Sequence, residues 1–391
     1  MFIKSILNKP YKHIIRGKLT MKVIIAAAGT GGHINPGIAI ANKIKKEEPN
    51  SQIIFIGTNR GLENDLVPRA GYELKTIQAY GFNRQISFDN IKKMYKTFRS
   101  IGEAKKIIEE FKPDVVIGTG GYICVPVGIA AKKRKIPVVL HESNAFPGIA
   151  IKMLSKKADT ILLGFEDAKK RIPKAKSLVV TGTPTKVKHV DISSNKRTQL
   201  LKEMGLNENL PIVLCFGGSQ GAQSINESLI QIITKQKNIN YQIIWAAGPA
   251  QYEIVKEELQ KHQMDIEYLK NSKIVPYIYN MEEIMNVVDL VVCRSGAMTI
   301  TEISNVGKPA IFIPFPFATE NHQEYNARVL EKEGAAKIIL DKNLTADLLN
   351  ETIESMVKDK TKLQQMGEKA RSISIPNVED RIYKEVKKVV D

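Results

Sequence analysis

Short apolar runs alternate with amphipathic segments of helix length along the whole chain. In the first half the runs at 23–27, 52–57, 115–117, 138–140, 160–163 and 178–180 predict strands. In the second half the runs at 212–216, 242–246, 273–275, 290–293 and 310–313 do the same. Many are apolar throughout rather than alternating, the pattern of a parallel sheet covered on both faces. Alternation of strands with helices predicts βαβ units and a doubly wound α/β sheet. The chain also repeats itself loosely. MKVIIAAAGTGGHINPGIAIANKI starts at Met21 and LPIVLCFGGSQGAQSINESLIQII starts at Leu210; each reads as an apolar strand, a glycine turn with a hydroxyl residue, and a helix. Two Rossmann-like domains in tandem follow, expected over 21–185 and 210–376, with a polar linker at 186–209 and a helix over 377–391 after Pro376.

At 391 residues there is chain enough for two such cores. Cys124, Cys215 and Cys293 lie far apart in apolar runs without CxxC spacing, which excludes a disulfide framework or a zinc site and predicts buried thiols. The net charge of +17 admits nucleic acid, an anionic membrane surface or an anionic substrate. Without an RNP-type aromatic motif, a zinc knuckle or an arginine-rich tract, nucleic acid falls away as a partner. No stretch reads as a membrane span: 115–131 is broken by Gly118, Gly120, Gly121 and Pro126. Residues 1–20 carry no acidic group and lack the h-region of a secretory signal. They read as a basic extension or as sequence ahead of a true start at Met21, where a strand begins at once.

The turn Gly29-Thr30-Gly31-Gly32-His33 fails two tests for nucleotide loops. A dinucleotide fingerprint starting at Gly29 requires glycine where Ile34 stands, and an acidic residue where the second strand ends in Gly57-Thr58-Asn59. A Walker A loop requires Gly-Lys-Ser/Thr where the chain has Gly-Gly-His. Phosphate physics remains: glycines let main-chain N–H groups approach an anion, and a helix with Asn35 as N-cap and Pro36 at its first position would point its positive end at the loop. Similar turns recur at Gly118-Thr119-Gly120-Gly121, at 217–222 and at 294–297, all after predicted strands. Ligands of open α/β sheets bind at that end of the strands. His33 in such a cleft is either a general base or the donor of a structural hydrogen bond. His141-Glu142-Ser143-Asn144 adds polar groups at the same sheet edge.

GTGGH, GTGGY, HESNAFPG, FGGSQGA and CRSGAMTITEI…GKPAIFIPFP…NHQEYNA, in that order from Met21 nearly to the end, resemble the MurG family of bacterial UDP-N-acetylglucosamine transferases. The resemblance implies a GT-B glycosyltransferase with a cleft between two domains. Its donor would be UDP-GlcNAc, and its acceptor the C4 hydroxyl of MurNAc-pentapeptide on undecaprenyl pyrophosphate, lipid I. The product would be lipid II for the peptidoglycan cell wall, tied to cell shape and division. The resemblance places the donor in the second domain, with Ser219 and Gln220 on the UDP phosphates, Ile278 beside the uracil, Glu302 on the ribose hydroxyls, and His322 and Gln323 on the GlcNAc. In the first domain, Thr30, Gly31, Gly32, His33 and Asn144 match residues near the reacting sugars. Gly118, Thr119, Gly120 and Gly121 match a loop proposed to cradle the acceptor pyrophosphate. His33 is the expected base and Glu142 its rival.

The residue chemistry suits these assignments. A carboxylate accepts from two adjacent ribose hydroxyls, although Glu302 also stands three residues after Thr299, the spacing of a capping box. Main-chain N–H groups at 219–222 would stabilise the departing UDP. The chain has no Asp-x-Asp triad, and neither a metal nor a cofactor is expected. Three departures from the family pattern stand out, the first being that residues 1–20 have no counterpart in the family, in keeping with a start at Met21. Ala28 opens the first motif where glycine is usual, and Lys186 replaces an arginine at the domain junction. A lipid acceptor requires a membrane surface. Ile91, Met94, Tyr95 and Phe98 among Lys92, Lys93, Lys96 and Arg99 form either an interfacial face or a core-facing stripe. The expected location is peripheral, on the cytoplasmic face of the cell membrane, with contacts to other cell-wall synthesis proteins. The alternatives are a UDP-GlcNAc epimerase of the same fold, another glycolipid transferase and a non-catalytic nucleotide-binding scaffold.

Overall fold

The structure, a computed structural model, describes residues 20–79, 88–218, 220–235, 239–269 and 271–391, with only the main-chain path over 88–98. The extension ahead of Thr20 and the side chains of Ile91, Met94, Tyr95 and Phe98 lie outside the described residues; the helix that carries those four runs Phe88–Phe111.

The first domain is a seven-stranded sheet. Its strands are β1 (Lys22–Ala27), β2 (Gln52–Gly57), β3 (Glu73–Thr76), β4 (Val115–Gly120), β5 (Val138–Glu142), β6 (Thr160–Leu163) and β7 (Leu178–Val180), in the order 3-2-1-4-5-6-7. The second is a six-stranded sheet of β8 (Ile212–Phe216), β9 (Gln242–Ala246), β10 (Ser272–Val275), β11 (Leu290–Cys293), β12 (Ala310–Phe312) and β13 (Ala336–Ile338), ordered 10-9-8-11-12-13. Every pairing is parallel. Each sheet is sandwiched by helices, so each has one apolar cluster per face. Val23 and Ile25 of β1 point to one side, Ile24 and Ala26 to the other. Two strands go unpredicted by the apolar pattern, β3 (ELKT) and β13 (AKI). Both are sheet edges, where one flank meets water and polar residues are tolerated.

The first glycine turn differs from expectation. The helix begins at Gly31, behind Thr30, whose carbonyl accepts from the N–H of His33 and Ile34. Asn35 is therefore not the N-cap, and Pro36 sits in the second turn. With glycines at 31 and 32 the chain tightens into a helix sooner than the Asn-Pro pair suggests.

The segment 186–209 contains a helix, Ser194–Glu203, capped by the Ser193 hydroxyl; its Leu201, with Val187 and Leu206, is buried in the second domain's core. The last helix, Val378–Val390, crosses back to the first domain. Val378, Ile382 and Val386 pack among Ile34, Ile40 and Ile44, and Lys43–Asp380 and Lys387–Glu48 ion pairs frame the contact. The two domains are thus tied twice, at the crossing after β7 and by this helix. Among the described residues no helix is long and apolar enough to cross a membrane.

Candidate active site

The carboxyl ends of both sheets meet at one cleft. On the first domain's side, Gly29 takes φ +97°, and its N–H is held by Glu63 Oε2 at 2.9 Å. Glu63 Oε1 accepts from the Thr58 N–H and hydroxyl, so one buried carboxylate joins the turns after β1 and β2. Thr30 caps nothing with its hydroxyl and stays exposed.

His33 projects back over this turn. Its Nδ1 is 3.1 Å from the Ala28 carbonyl, which can only accept. Nδ1 therefore carries the proton in the neutral ring, and Nε2 keeps its lone pair with no partner among the described residues. The ring fills the space that side chains at the next turn would need. A Cβ on Gly120 would lie 2.4 Å from His33 Cδ2 and 3.0 Å from Nε2; one on Gly121 would lie 2.6 Å from the Ala28 carbonyl. The Thr119 hydroxyl donates to the His33 carbonyl at 2.7 Å. Burial lowers the His33 pKa, opposed by the Ala28 hydrogen bond and reinforced by the charge of His322. The ring is thus an uncharged acceptor at pH 7.

The glycine turn at 118–121 is narrower than its sequence suggests. Gly118, Thr119 and Gly120 are buried in β4, and exposure begins at Gly121. Behind it the Cys124 thiol, pushed by burial up to about 12, accepts from the Gly120 N–H at 3.3 Å and is inert.

Glu142 is buried, and both its oxygens are engaged. Oε1 accepts from the Asn144 N–H at 2.8 Å and from its side-chain amide at 3.0 Å, and Oε2 from the Gly148 N–H at 2.8 Å. Burial pushes its pKa up against those donors. It folds the loop over 143–148. His141, fully buried and lowered by burial to about 4, stays neutral and joins the Gly182 carbonyl at 3.0 Å, fastening β5 to the domain crossing.

On the second domain's side, Gly218 and Gly221 take φ +88° and +79° in the turn before the helix Gln223–Lys235. Ser219 lies outside the described residues; Gln220 is exposed. A Cβ on Gly217 would meet Ala222 N at 2.2 Å, and one on Gly221 the Ala247 carbonyl at 2.2 Å. Arg294 braces the turn from behind: it pairs with Asp341, donates to the Ile313 carbonyl at 3.0 Å and reaches Ser224 Oγ at 3.0 Å. His322 repeats the arrangement of His33, with Nδ1 on the Thr319 carbonyl at 2.6 Å and a pKa lowered by burial. Gln323 accepts from the Phe315 N–H at 2.9 Å. Ile278 turns its side chain into the core.

Glu302 forms no capping box, because Gly296 caps its helix without a side-chain bond. Its carboxylate instead accepts from the Thr185 hydroxyl at 3.0 Å and opens on a crevice of about 800 Å³ between the domains. Burial raises its pKa to about 7, offset in part by the Thr185 bond.

One central residue is missed by the sequence reading. Asn326, fully buried, accepts from the Ala145 N–H at 2.9 Å and donates to Asn144 Oδ1 at 3.1 Å and to the Ser295 carbonyl at 3.2 Å. It joins the Glu142 loop of one domain to the helix His322–Lys332 of the other. Its signal was its place four residues after His322, on the same helix face. Beside it, Phe146 stacks on Tyr325 across the cleft at 4.7 Å, and Arg171 lies over both rings.

Two parallel-sheet α/β domains with glycine turns facing one cleft have the architecture of GT-B glycosyltransferases. Residues 23–163 match the glycosyltransferase family 28 N-terminal domain, and 212–382 match the family 28 C-terminal domain. A relative from Acetivibrio thermocellus is 44% identical over 371 residues, covering 95% of this chain and 98% of its own; one from Clostridioides difficile is 41% identical over 94% and 89%. Both are named UDP-N-acetylglucosamine–N-acetylmuramyl-(pentapeptide) pyrophosphoryl-undecaprenol N-acetylglucosamine transferase, and the chain belongs to that family. The crystal structure of Acinetobacter baumannii MurG superposes with a TM-score of 0.75 at 28% identity, over 94% of this chain and 99% of that one. A UDP-GlcNAc 2-epimerase from Neisseria meningitidis, at 16% identity and a TM-score of 0.62 over 94% of this chain and 100% of its own, shares the fold.

Proposed function

We propose that this chain transfers GlcNAc from UDP-GlcNAc to the C4 hydroxyl of lipid I with inversion, giving lipid II. The observation that carries the mechanism is His33, clamped by its Nδ1–H so that Nε2 is an unprotonated acceptor at the cleft. The acceptor hydroxyl oxygen attacks the anomeric carbon from the face opposite the phosphate. Its proton passes to His33 Nε2, and the C–O bond to the β-phosphate breaks with its electron pair leaving on UDP. That charge develops beside the main-chain N–H groups of the 217–222 turn and the start of the helix Gln223–Lys235, which supports their role in donor binding.

The site assignments follow the two faces. Ser219, Gln220, Glu302, His322, Gln323 and the main chain of Ile278 hold the donor. Thr30, Gly31, Gly32 and Asn144 face the acceptor sugar, and Gly121 with the buried Gly118–Gly120 strand end supports its pyrophosphate. Glu142 shapes the acceptor loop rather than taking the proton, because its oxygens are already bonded. A lipid acceptor places the enzyme peripherally on the cytoplasmic face of the membrane. UDP release with UDP-GlcNAc and a lipid I analogue tests the reading. Release only when the acceptor is present is expected. Interconversion of the sugar nucleotide without acceptor, or no release with it, would overturn the reading.

A further inference from the structure

The second domain carries another polar cavity, at the opposite end of its sheet from the cleft. A groove of about 630 Å³ opens where β8, β11 and β12 begin, walled by the helices Ser194–Glu203 and Lys360–Ser372. Five residues of β8 separate it from the glycine turn, roughly 16 Å at strand rise. Four cations line it: Arg197, Lys308, Lys360 and Arg371.

Their counter-charges are poorly matched. Three carboxylates share the groove, and only Asp289 contacts a cation, Arg197 at 3.5 Å, while the same oxygen accepts from the Ile212 N–H at 2.8 Å. Glu208 and Glu368 keep their charge but touch none of the four cations, accepting instead from the Thr198 hydroxyl and the Gln364 amide, so the groove carries four cations against three carboxylates. The Lys308 ammonium has only carbonyls, of Asn286 at 2.9 Å and Val288 at 2.7 Å. Arg371 has the Val306 carbonyl at 3.1 Å and lies against Gly307, where a Cβ would come within 2.9 Å of its Nε. Lys360 is exposed and has no partner among the described residues.

We propose that this groove is a binding site for a small phosphate-type polyanion, separate from the nucleotide cleft. Three cations without a carboxylate of their own converge there, and converging like charges are relieved by an anion between them. The volume is that of an ordinary small-molecule site. Lys308 registers the same imbalance: burial, Arg197 and Arg371 lower its pKa to about 8 against the pull of Asp289. A bound anion raises that pKa, so binding at pH 8 takes up a proton.

The test is calorimetric titration of inorganic pyrophosphate into the full chain with UDP saturating the cleft. One further site is expected, weakened about tenfold by Lys308→Met and about threefold by Lys360→Ala, with UDP affinity unchanged. Lys360 is exposed, so its variant tests the site without disturbing the fold. At pH 8 the dependence of the enthalpy on buffer ionisation enthalpy should differ between wild type and Lys308→Met by the proton that Lys308 takes up, the proton exchange of pyrophosphate itself being common to both. No binding once UDP is present, or equal binding by wild type and both variants, would overturn the proposal.

Discussion

The glycine turns of the two domains share a strand–turn–helix pattern, yet their glycines make room for different things. In the first domain, Gly120 vacates the space of the His33 ring, and Gly121 that of the Ala28 carbonyl which orients it. In the second, Gly217 and Gly221 vacate space for the main chain itself, at Ala222 N and the Ala247 carbonyl. Gly29 and Gly218 crowd nothing and are required for their positive φ alone. One scaffold thus carries either a side-chain reagent or a main-chain cradle, depending on what fills the volume of the missing Cβ.

The contrast breaks most sharply at Gly221. Gly221→Val drives its side chain into a carbonyl that cannot move, and adds strain at positive φ. UDP affinity should fall more than about 100-fold in calorimetry, with roughly 2–4 kcal/mol lost from the stability of the second domain. Gly120→Ala instead displaces an imidazole. The turnover number should fall about 10–100-fold while UDP affinity stays within about twofold. Equal loss of UDP binding in both variants would erase the distinction between the turns.

Asn326→Ala probes what joins them. It leaves the Ala145 N–H and the Asn144 amide without their partner, a cost of about 1–3 kcal/mol in the interface. Roughly tenfold lower kcat/KM is expected from looser alignment of the two half-sites. Unchanged kinetics would show that closure does not pass through this residue.

Glu302 gives an effect of similar size, read through pH. Its pKa of about 7 means the free enzyme gains the binding-competent carboxylate as pH rises. UDP affinity should therefore improve about tenfold from pH 6 to pH 8 beyond the ionisation of UDP itself, which Glu302→Gln subtracts. The same slope in wild type and variant would remove Glu302 from the donor site.

The interior strands were legible because burial on both faces demands continuous apolar residues. The edges β3 and β13 were not, since half their surroundings are water. The glycine turns were legible as turns, but spacing does not reveal what occupies the volume beside a glycine, so the Gly120–His33 contact had no sequence signal. Asn35-Pro36 resembled a helix start, yet the two preceding glycines moved that start to Gly31. Glu142 looked like a base because a carboxylate in a cleft does. The three N–H donors around it, which spacing does not reveal, are what support the loop-shaping role proposed for it. Asn326 escaped because its partners in the other domain lie 181 and 182 residues away in the chain.

His33→Ala, measured for both transfer and UDP binding, tests the division between the two turns most directly. Transfer to a lipid I analogue should fall about 10²–10⁴-fold while UDP affinity stays within about twofold of wild type. Undiminished transfer, or a loss fully matched by weaker UDP binding, would contradict the assignment of the proton to this ring.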